Sequence, residues 1–565
     1  MSSPLDLHAR PNTVGHSILQ AAQNWPDRTA FVLGDREASH AGFARQTIAC
    51  ARNLLALGIQ PREHIGILMP NSWEYAVLVG AINMIGACAV VLNARYRGED
   101  LQYVLRHAEI TELFTTGAAR PHLDLRALLC SQFPELEKWR AGEELRVRGA
   151  PRLLSVFHFN APDEDKWLTE AEFEKGGSTI SDEMLAERVA AVCPDDIAMI
   201  IFSSGTTAQP KACMISHGVV VEVAGAIAER LALVKDDVFW DPLPLYHLSS
   251  HLPLNACRQV GATFVCQSHF QAGPALEEME RTGATICYSA FPALTAALID
   301  HRDFNSRDLS RLRLMINIGA PDLLRKFAEA IPQAKQIGCY GLTESGGIST
   351  MASPHDTLDQ RIERVGKPLR THRIRIVDPE TLEEQPIGAK GEIQIAGPLF
   401  SGYFKDEEQT AKTMLPGGWL RSGDTGWIDE DGQLAYGGRI KDMLKIGGEN
   451  VAAVEVESFL SRHPKVKMAQ IIGAPDPRLV EVVAAFIEVK SGETMTEAEV
   501  IEYCSGNIAS YKVPRYVRFV TEWPMSATKI QKFKLAETFV AEGRIDVSAF
   551  TGKSENQRRS ASGEG

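Results

Sequence analysis

Short apolar runs at residues 65–69, 87–92, 197–202 and 262–266 alternate with longer stretches of helical periodicity, among them 219–233 and 275–282. The alternation predicts α/β layers, with strands for the short runs and helices for the long ones. At 565 residues the chain exceeds what one hydrophobic core supports, so two or more domains are expected. Its 44% hydrophobic and 23% charged residues match soluble globular chains and exclude a largely disordered, collagen-like or coiled-coil one.

One stretch, 75–92, is apolar enough to raise the question of a membrane span. Asn71 and Glu74 stand ahead of it at capping-box spacing, Asn83 interrupts it and Gly86 supplies a helix stop. It is read as a buried helix followed by a short strand, and no membrane span is expected. Between about 134 and 192 the chain turns polar and irregular, which reads as a surface excursion. Near Leu434 the texture changes again, to glycines and alternating charges suited to a hinge. The boundary falls there, dividing a large N-terminal domain, 1–437, from a small one, 438–550. In the small domain, 453–461 and 497–509 read as helices and 467–472 and 482–489 as strands, an α+β pattern. The tail 551–565 is polar and reads as disordered. No internal repeat is visible.

The 59 Lys and Arg residues stand against 72 Asp and Glu, a formal charge of -13, so no broad positive field exists to hold a nucleic-acid backbone. Any anionic ligand must be held by local groups. Ten cysteines are scattered singly, without zinc or redox spacing, which fits a reducing, cytoplasmic compartment. The first residues lack the basic-then-apolar order of a secretory signal.

The segment 197–211 carries the most chemistry. An apolar strand opens into Ser203, Ser204, Gly205, Thr206, Thr207, Ala208, Gln209, Pro210 and Lys211. Small residues let backbone N–H groups face a polyphosphate, the hydroxyls add donors, and Lys211 brings a mobile positive charge. Gly205 and Lys211 have Walker A separation, yet Pro210 and Ala212 stand where that motif needs Gly and a magnesium-binding hydroxyl, which disfavours a P-loop NTPase. Taken alone, the segment is equally well a polar surface loop.

Other motifs accompany it in a fixed order: PLPLYH (242–247), NIGAP (317–321), CYGLTE (339–344), GEIQIAGP (391–398), WLRSGDTG (419–426), GRIKDMLKIGGENV (438–451) and SATKIQK (526–532). With these motifs the sequence resembles the adenylate-forming superfamily, which includes acyl-CoA synthetases, luciferases and peptide-synthetase adenylation domains. The resemblance runs from about residue 15 to 545. It implies a large multi-sheet α/β N-terminal domain hinged to a small α+β C-terminal domain, and two reactions at one site. A carboxylate and Mg·ATP first give an acyl-adenylate and pyrophosphate. The small domain then rotates, and a pantetheine thiol of coenzyme A takes the acyl group with release of AMP.

On this resemblance Ser203, Ser204, Gly205, Thr206, Thr207 and Lys211 hold phosphates, Tyr340 and Gly341 flank the purine, Thr343 meets a phosphate oxygen, and Glu344 ligates Mg²⁺. Gly319, Ala320 and Pro321 also border the nucleotide, while Asp424 and Arg439 take the ribose hydroxyls. Lys529 is expected to neutralise the approach of carboxylate to α-phosphate. Lys441 matches the hinge position, and Lys445, Gly447 and Gly448 form the wall that admits the thiol. His247, in a place between acyl pocket and adenylate, is the alternative to an ordinary buried histidine; Asn317 and Cys339 are expected near the acyl group. An apolar tract, 290–294, suits a medium or bulky hydrophobic acid.

Two features depart from the family pattern. Thr528 precedes Lys529 in a loop one residue short, where a glycine is usual, and Ala208 and Ala212 replace glycines. A left-handed backbone at either alanine would cost about 1–2 kcal/mol. The leading expectation is an acid:CoA ligase using ATP, Mg²⁺ and coenzyme A, with a homodimer among the admitted assemblies. The alternatives are an adenylate-forming oxygenase, a peptide-synthetase-like adenylation enzyme, or a non-catalytic nucleotide- or acyl-binding relic.

Overall fold

The computed structural model describes residues 7–118, 123–162, 166–203, 209–446, 449–476, 478–526 and 529–541. The tail expected to be disordered, 551–565, lies outside them. The fold is mixed α/β, with a large N-terminal and a smaller C-terminal domain. Two compact units form: residues 1–375, 394–422 and 428–435 in the first, and 376–393, 423–427 and 436–565 in the second. The division is therefore interleaved, and the chain passes between units several times before leaving the first at residue 435.

The first unit holds two seven-stranded sheets of similar design. One runs, edge to edge, Lys335–Ile337, Leu314–Asn317, Ile286–Ala290, Val238–Asp241, Thr263–Cys266, Thr29–Leu33 and Arg36–Ser39. The other runs Leu168–Thr169, Ser155–Phe159, Glu112–Thr116, His64–Leu68, Cys88–Val91, Ile197–Ser203 and Lys211–Ser216. In each, all pairs are parallel except the last, which is an antiparallel hairpin. Central strands such as Cys88–Val91 are apolar throughout and buried, as parallel strands covered on both faces must be.

The run 75–92 forms the helix Trp73–Met84, the strand Cys88–Val91 and, between them, Gly86 at φ +73°. Among the described residues no helix is long and apolar enough to cross a membrane. The helix cap differs from the expected one. Ser72, in extended backbone, accepts from Tyr75 N at 3.1 Å, whereas the Asn71 amide is turned onto another loop. A second correction concerns 134–192. Instead of a surface excursion, this stretch contributes the strand Ser155–Phe159, whose Phe157 stacks on Phe114 with ring centroids 4.7 Å apart, and the buried Trp167. Its polarity belongs to the turns; the strand itself is buried from Val156 onward.

A short segment after the strand Gly391–Ala396 lines the outer edge of the second sheet. Met214 N donates to Gly402 O, Ser401 N to Met214 O and Phe404 N to Ala212 O, all at 2.8–3.0 Å. Those bonds occupy the edge strand Lys211–Ser216, which would otherwise offer open donors and acceptors.

In the second unit the strands Glu449–Ala452, Met443–Ile446, Val480–Val489 and Val466–Asp476 lie in that order, and Tyr516–Phe519 pairs parallel to Val480–Val489. Successive residues serve opposite faces. Ala469, Ile471, Val483, Ala485 and Ile487 pack with Val456, Leu460 and Val500, while Ile472, Val482, Ala484 and Phe486 pack with Leu535 and Phe539. The helix expected over 497–509 is shorter, Glu497–Cys504, because Gly506 at φ +79° turns the chain out of helical geometry.

Candidate active site

The hairpin Ile197–Ser203 and Lys211–Ser216 sets Ser203 opposite Lys211 at the end where the two strands connect. Ser204, Gly205, Thr206, Thr207 and Ala208 lie outside the described residues. Ala212 is an extended strand residue paired with Phe202, so no left-handed strain arises there.

Five side chains converge at this end of the hairpin. Tyr403 Oη donates to Glu344 Oε1 at 2.8 Å, and Ser203 Oγ donates to the same oxygen at 3.4 Å. Lys211 Nζ stands 5.2 Å from the centroid of the Tyr403 ring, within cation–π range. Cys213 Sγ reaches Ser203 Oγ at 3.5 Å, its thiol pushed up by burial and then by the Glu344 charge. Burial and the same carboxylate push the Tyr403 phenol up as well, keeping it a donor. Tyr403 is the participant that sequence reasoning missed. Its signal was present in Gly402-Tyr403, five residues beyond the GEIQIAGP motif, but it is brought back to Glu344 by long-range bonds, with Ala212 and Met214 and from Phe400 N to Glu344 O at 2.9 Å.

Glu344 sits in the 3₁₀ turn Thr343–Ser345, directly after the strand Cys339–Tyr340. Gly341 has no substitute at this point: a Cβ there would lie 2.1 Å from the Gly347 carbonyl oxygen. The strand–turn geometry thus places Tyr340, Thr343 and Glu344 in sequence along one short bend. Gly319 and Ala320 lead from the strand Leu314–Asn317 into the helix Pro321–Ala330, which Pro321 opens at its first position. The three residues 319–321 are exposed or half-exposed.

Asn317 and Cys339 are both buried among other side chains. Asn317 is fully buried; its Oδ1 accepts from Thr295 at 2.6 Å and Ser289 at 3.0 Å, and its Nδ2 donates to Gln336 at 2.8 Å. Its amide ties strand ends together. Cys339 is buried too, its thiol pushed up to about 12 by desolvation while Tyr288 hydrogen-bonds to it. His247 stands half-buried at the N-cap position of the helix Leu248–Val260, its ring 4.8 Å from that of Tyr246.

In the second unit Asp424 is buried within the strand Trp419–Ile428, and Arg439 Nε approaches its Oδ1 at 3.5 Å. Lys441 is exposed in the 3₁₀ turn Ile440–Asp442, and Lys445 is exposed on the strand Met443–Ile446. Gly447 and Gly448 lie outside the described residues. Lys529 opens the strand Lys529–Ile530, paired with Ser526 across a hairpin whose two turn residues also lie outside them.

Among the described residues no cluster of three or more His, Cys, Asp and Glu could cage a metal ion. A magnesium ion carried in by a triphosphate needs only one or two carboxylates from the protein, and Glu344 offers one. None of the ten cysteines is in a disulfide.

Comparison with known proteins identifies the family. The family model described as AMP-binding enzyme matches residues 18–404, and that described as AMP-binding enzyme C-terminal domain matches 455–529. The chain belongs to the AMP-binding enzyme family, whose members form adenylates. It is 33% identical over 547 residues to YngI of Bacillus subtilis, covering 93% of this chain and 97% of that protein. It is 31% identical to the mitochondrial medium-chain acyl-CoA ligase ACSF2 of Rattus norvegicus, covering 94% and 88%. Among solved structures, the anthranilate CoA ligase AuaEII in complex with anthranoyl-AMP superposes with a TM-score of 0.82 at 26% identity, covering 96% and 100%. The protein is therefore an enzyme of the adenylate-forming class, matched along nearly its whole length by acyl-CoA ligases.

Proposed function

We propose that the protein is an AMP-forming acid:CoA ligase that activates a hydrophobic carboxylic acid in the cytoplasm. The observation that carries this reading is the meeting of Ser203, Lys211, Glu344 and Tyr403 at this end of the hairpin. An ammonium, a hydroxyl and a carboxylate oriented by a phenol are the set needed to receive a magnesium-bound triphosphate.

In this reading Lys211 and Ser203 bind phosphate oxygens, and Glu344 takes Mg²⁺, which when bound neutralises phosphate charge. Tyr340 and Gly341 flank the adenine, and the ion pair of Asp424 with Arg439 presents the ribose ligands. Lys529 supplies the positive charge that lets a carboxylate oxygen attack the α-phosphorus as pyrophosphate leaves. The acyl-adenylate then yields to the thiol of coenzyme A near Lys445, Gly447 and Gly448, giving a thioester and AMP. The apolar helix Pro292–Ile299, with Leu294 half-buried, supports a hydrophobic acid.

Acid-dependent exchange of labelled pyrophosphate into ATP, measured across a carboxylate panel, tests adenylation; thioester formation with coenzyme A tests the second step. Lys529→Ala should slow adenylation on the order of 10²- to 10³-fold and leave thioester formation from supplied acyl-adenylate nearly intact. Equal loss in both steps would remove Lys529 from the role. Light emission, or no exchange with any acid, would replace the ligase reading with an oxygenase or a binding protein.

A further inference from the structure

The PLPLYH motif is held in place by a side chain from elsewhere in the sequence. Residues 241–247 connect the strand Val238–Asp241 to the helix Leu248–Val260, and Pro242 and Pro244 deprive this connection of two backbone donors. Leu243 and Leu245 are nevertheless buried, so their peptide groups need partners from outside. Asn71 supplies them. Its Nδ2 donates to Leu243 O at 2.8 Å, and its Oδ1 accepts from Leu245 N at 2.7 Å. One carboxamide thereby does what a neighbouring strand would do, pairing a carbonyl and an N–H two residues apart. The same Nδ2 donates to Gln267 O at 2.9 Å, beside the end of the strand Thr263–Cys266.

Further groups complete the clamp. Tyr75 Oη donates to Leu245 O at 3.1 Å, Ser250 Oγ donates to Leu243 O at 3.1 Å, and Leu243 N donates to Asp241 Oδ1 at 2.8 Å. Asn71 and Tyr75 flank the start of the helix Trp73–Met84, and both are buried. That helix, the strand Thr263–Cys266 and the loop 241–247 therefore share one hydrogen-bonded junction. The loop ends at Tyr246 and His247, and His247 N donates back to Pro244 O at 3.1 Å. The path of the loop, and with it the position of the His247 ring, is set at Leu243 and Leu245.

We infer that Asn71 is a positioning residue for acid selection: by gripping Leu243 and Leu245 it fixes where His247 borders the acyl group. This rests on the ligase reading and on the family resemblance that puts His247 between acyl pocket and adenylate. Neither Asn71 nor Tyr75 touches the nucleotide-side cluster of Ser203, Lys211, Glu344 and Tyr403 by any hydrogen bond described, so the effect should fall on the acid and spare ATP.

Steady-state kinetics over an acid panel provide the test, with hydrogen exchange at Leu245 as a readout independent of turnover. Asn71→Ala should raise KM for the preferred acid about tenfold, change the ranking of acids, and leave KM for ATP and kcat within about twofold. The Leu245 amide should lose protection. Tyr75→Phe, which removes one hydroxyl and keeps the ring, should move the same quantities less and serves if Asn71→Ala fails to fold. Combined with His247→Ala, either change should add little to the altered ranking. If both variants only lower the melting temperature while acid KM and ranking stay wild type, or if their effects add to those of His247→Ala, the inference falls. Lost protection at Leu245 with no acid-dependent exchange in the wild type would overturn the ligase reading while the clamp itself stands.

Discussion

Tyr403 shows how one hydroxyl can organise a charged site. Ser203 and Tyr403 both donate to Glu344 Oε1, and the phenol, at 2.8 Å against 3.4 Å, makes the shorter bond and does more to hold the carboxylate. A hydrogen bond to a charged group contributes about 1.5–3 kcal/mol, so Tyr403→Phe should weaken Mg·ATP use roughly ten- to a hundredfold. The ATP and magnesium dependence of pyrophosphate exchange measures this, and an unchanged dependence would refute the assignment. Glu344, Ser203 and Lys211 were legible from their motifs because each sits in a short local pattern. Tyr403 was not, because its role depends on pairing between segments almost two hundred residues apart. The hydrogen bonds of Asn317 were not legible for a related reason: its partners Ser289, Thr295 and Gln336 come from three separate segments, and proximity to a motif does not reveal that its amide is already engaged.

At the scale of elements, strands and helices with unbroken periodicity were readable and those embedded in polar turns were not. The helix Ala272–Thr282 follows its pattern closely. The strand Ser155–Phe159 hid among acids and prolines, yet it supports a titrating group on its neighbour. Ser155 Oγ donates to Glu112 Oε2, and burial raises the Glu112 carboxyl from 4.5 to about 7 despite that bond. A raised acid pKa contributes stability that is complete below 4.5 and is lost as pH climbs through 7. Glu112→Gln should remove this dependence and, above pH 8, make the variant more stable than the parent by up to about 3 kcal/mol. Denaturant unfolding at pH 5, 7 and 8.5 would check the sign; a wild-type protein that gains stability across that range through Glu112 would contradict it.

For the molecule as a whole, histidines impose the opposite limb. His40, His217 and His251 are buried and each is lowered from 6.5 to about 4, chiefly by desolvation. Their contribution is present above 6.5 and disappears as pH falls through 4, so unfolding should take up protons and the melting temperature should drop steeply in that window. His217 has a clear structural stake, since its Nδ1 accepts from Val14 N at the start of the helix Val14–Asn24, and His217→Gln should make the acid limb shallower in a calorimetric pH series. The broad division into a large and a small part was legible from composition. The return of 376–393 and 423–427 to the second unit was not, because which unit a strand joins is decided by partners distant in sequence.

The segment 400–404 that blankets the strand Lys211–Ser216 is also the one that delivers a phenol to Glu344. Solubility and chemistry are thus stitched into the same five residues. A deletion among them would bare a template for self-association in the very step that disables the proposed phosphate site, so such variants should accumulate as insoluble material and not as inert monomers.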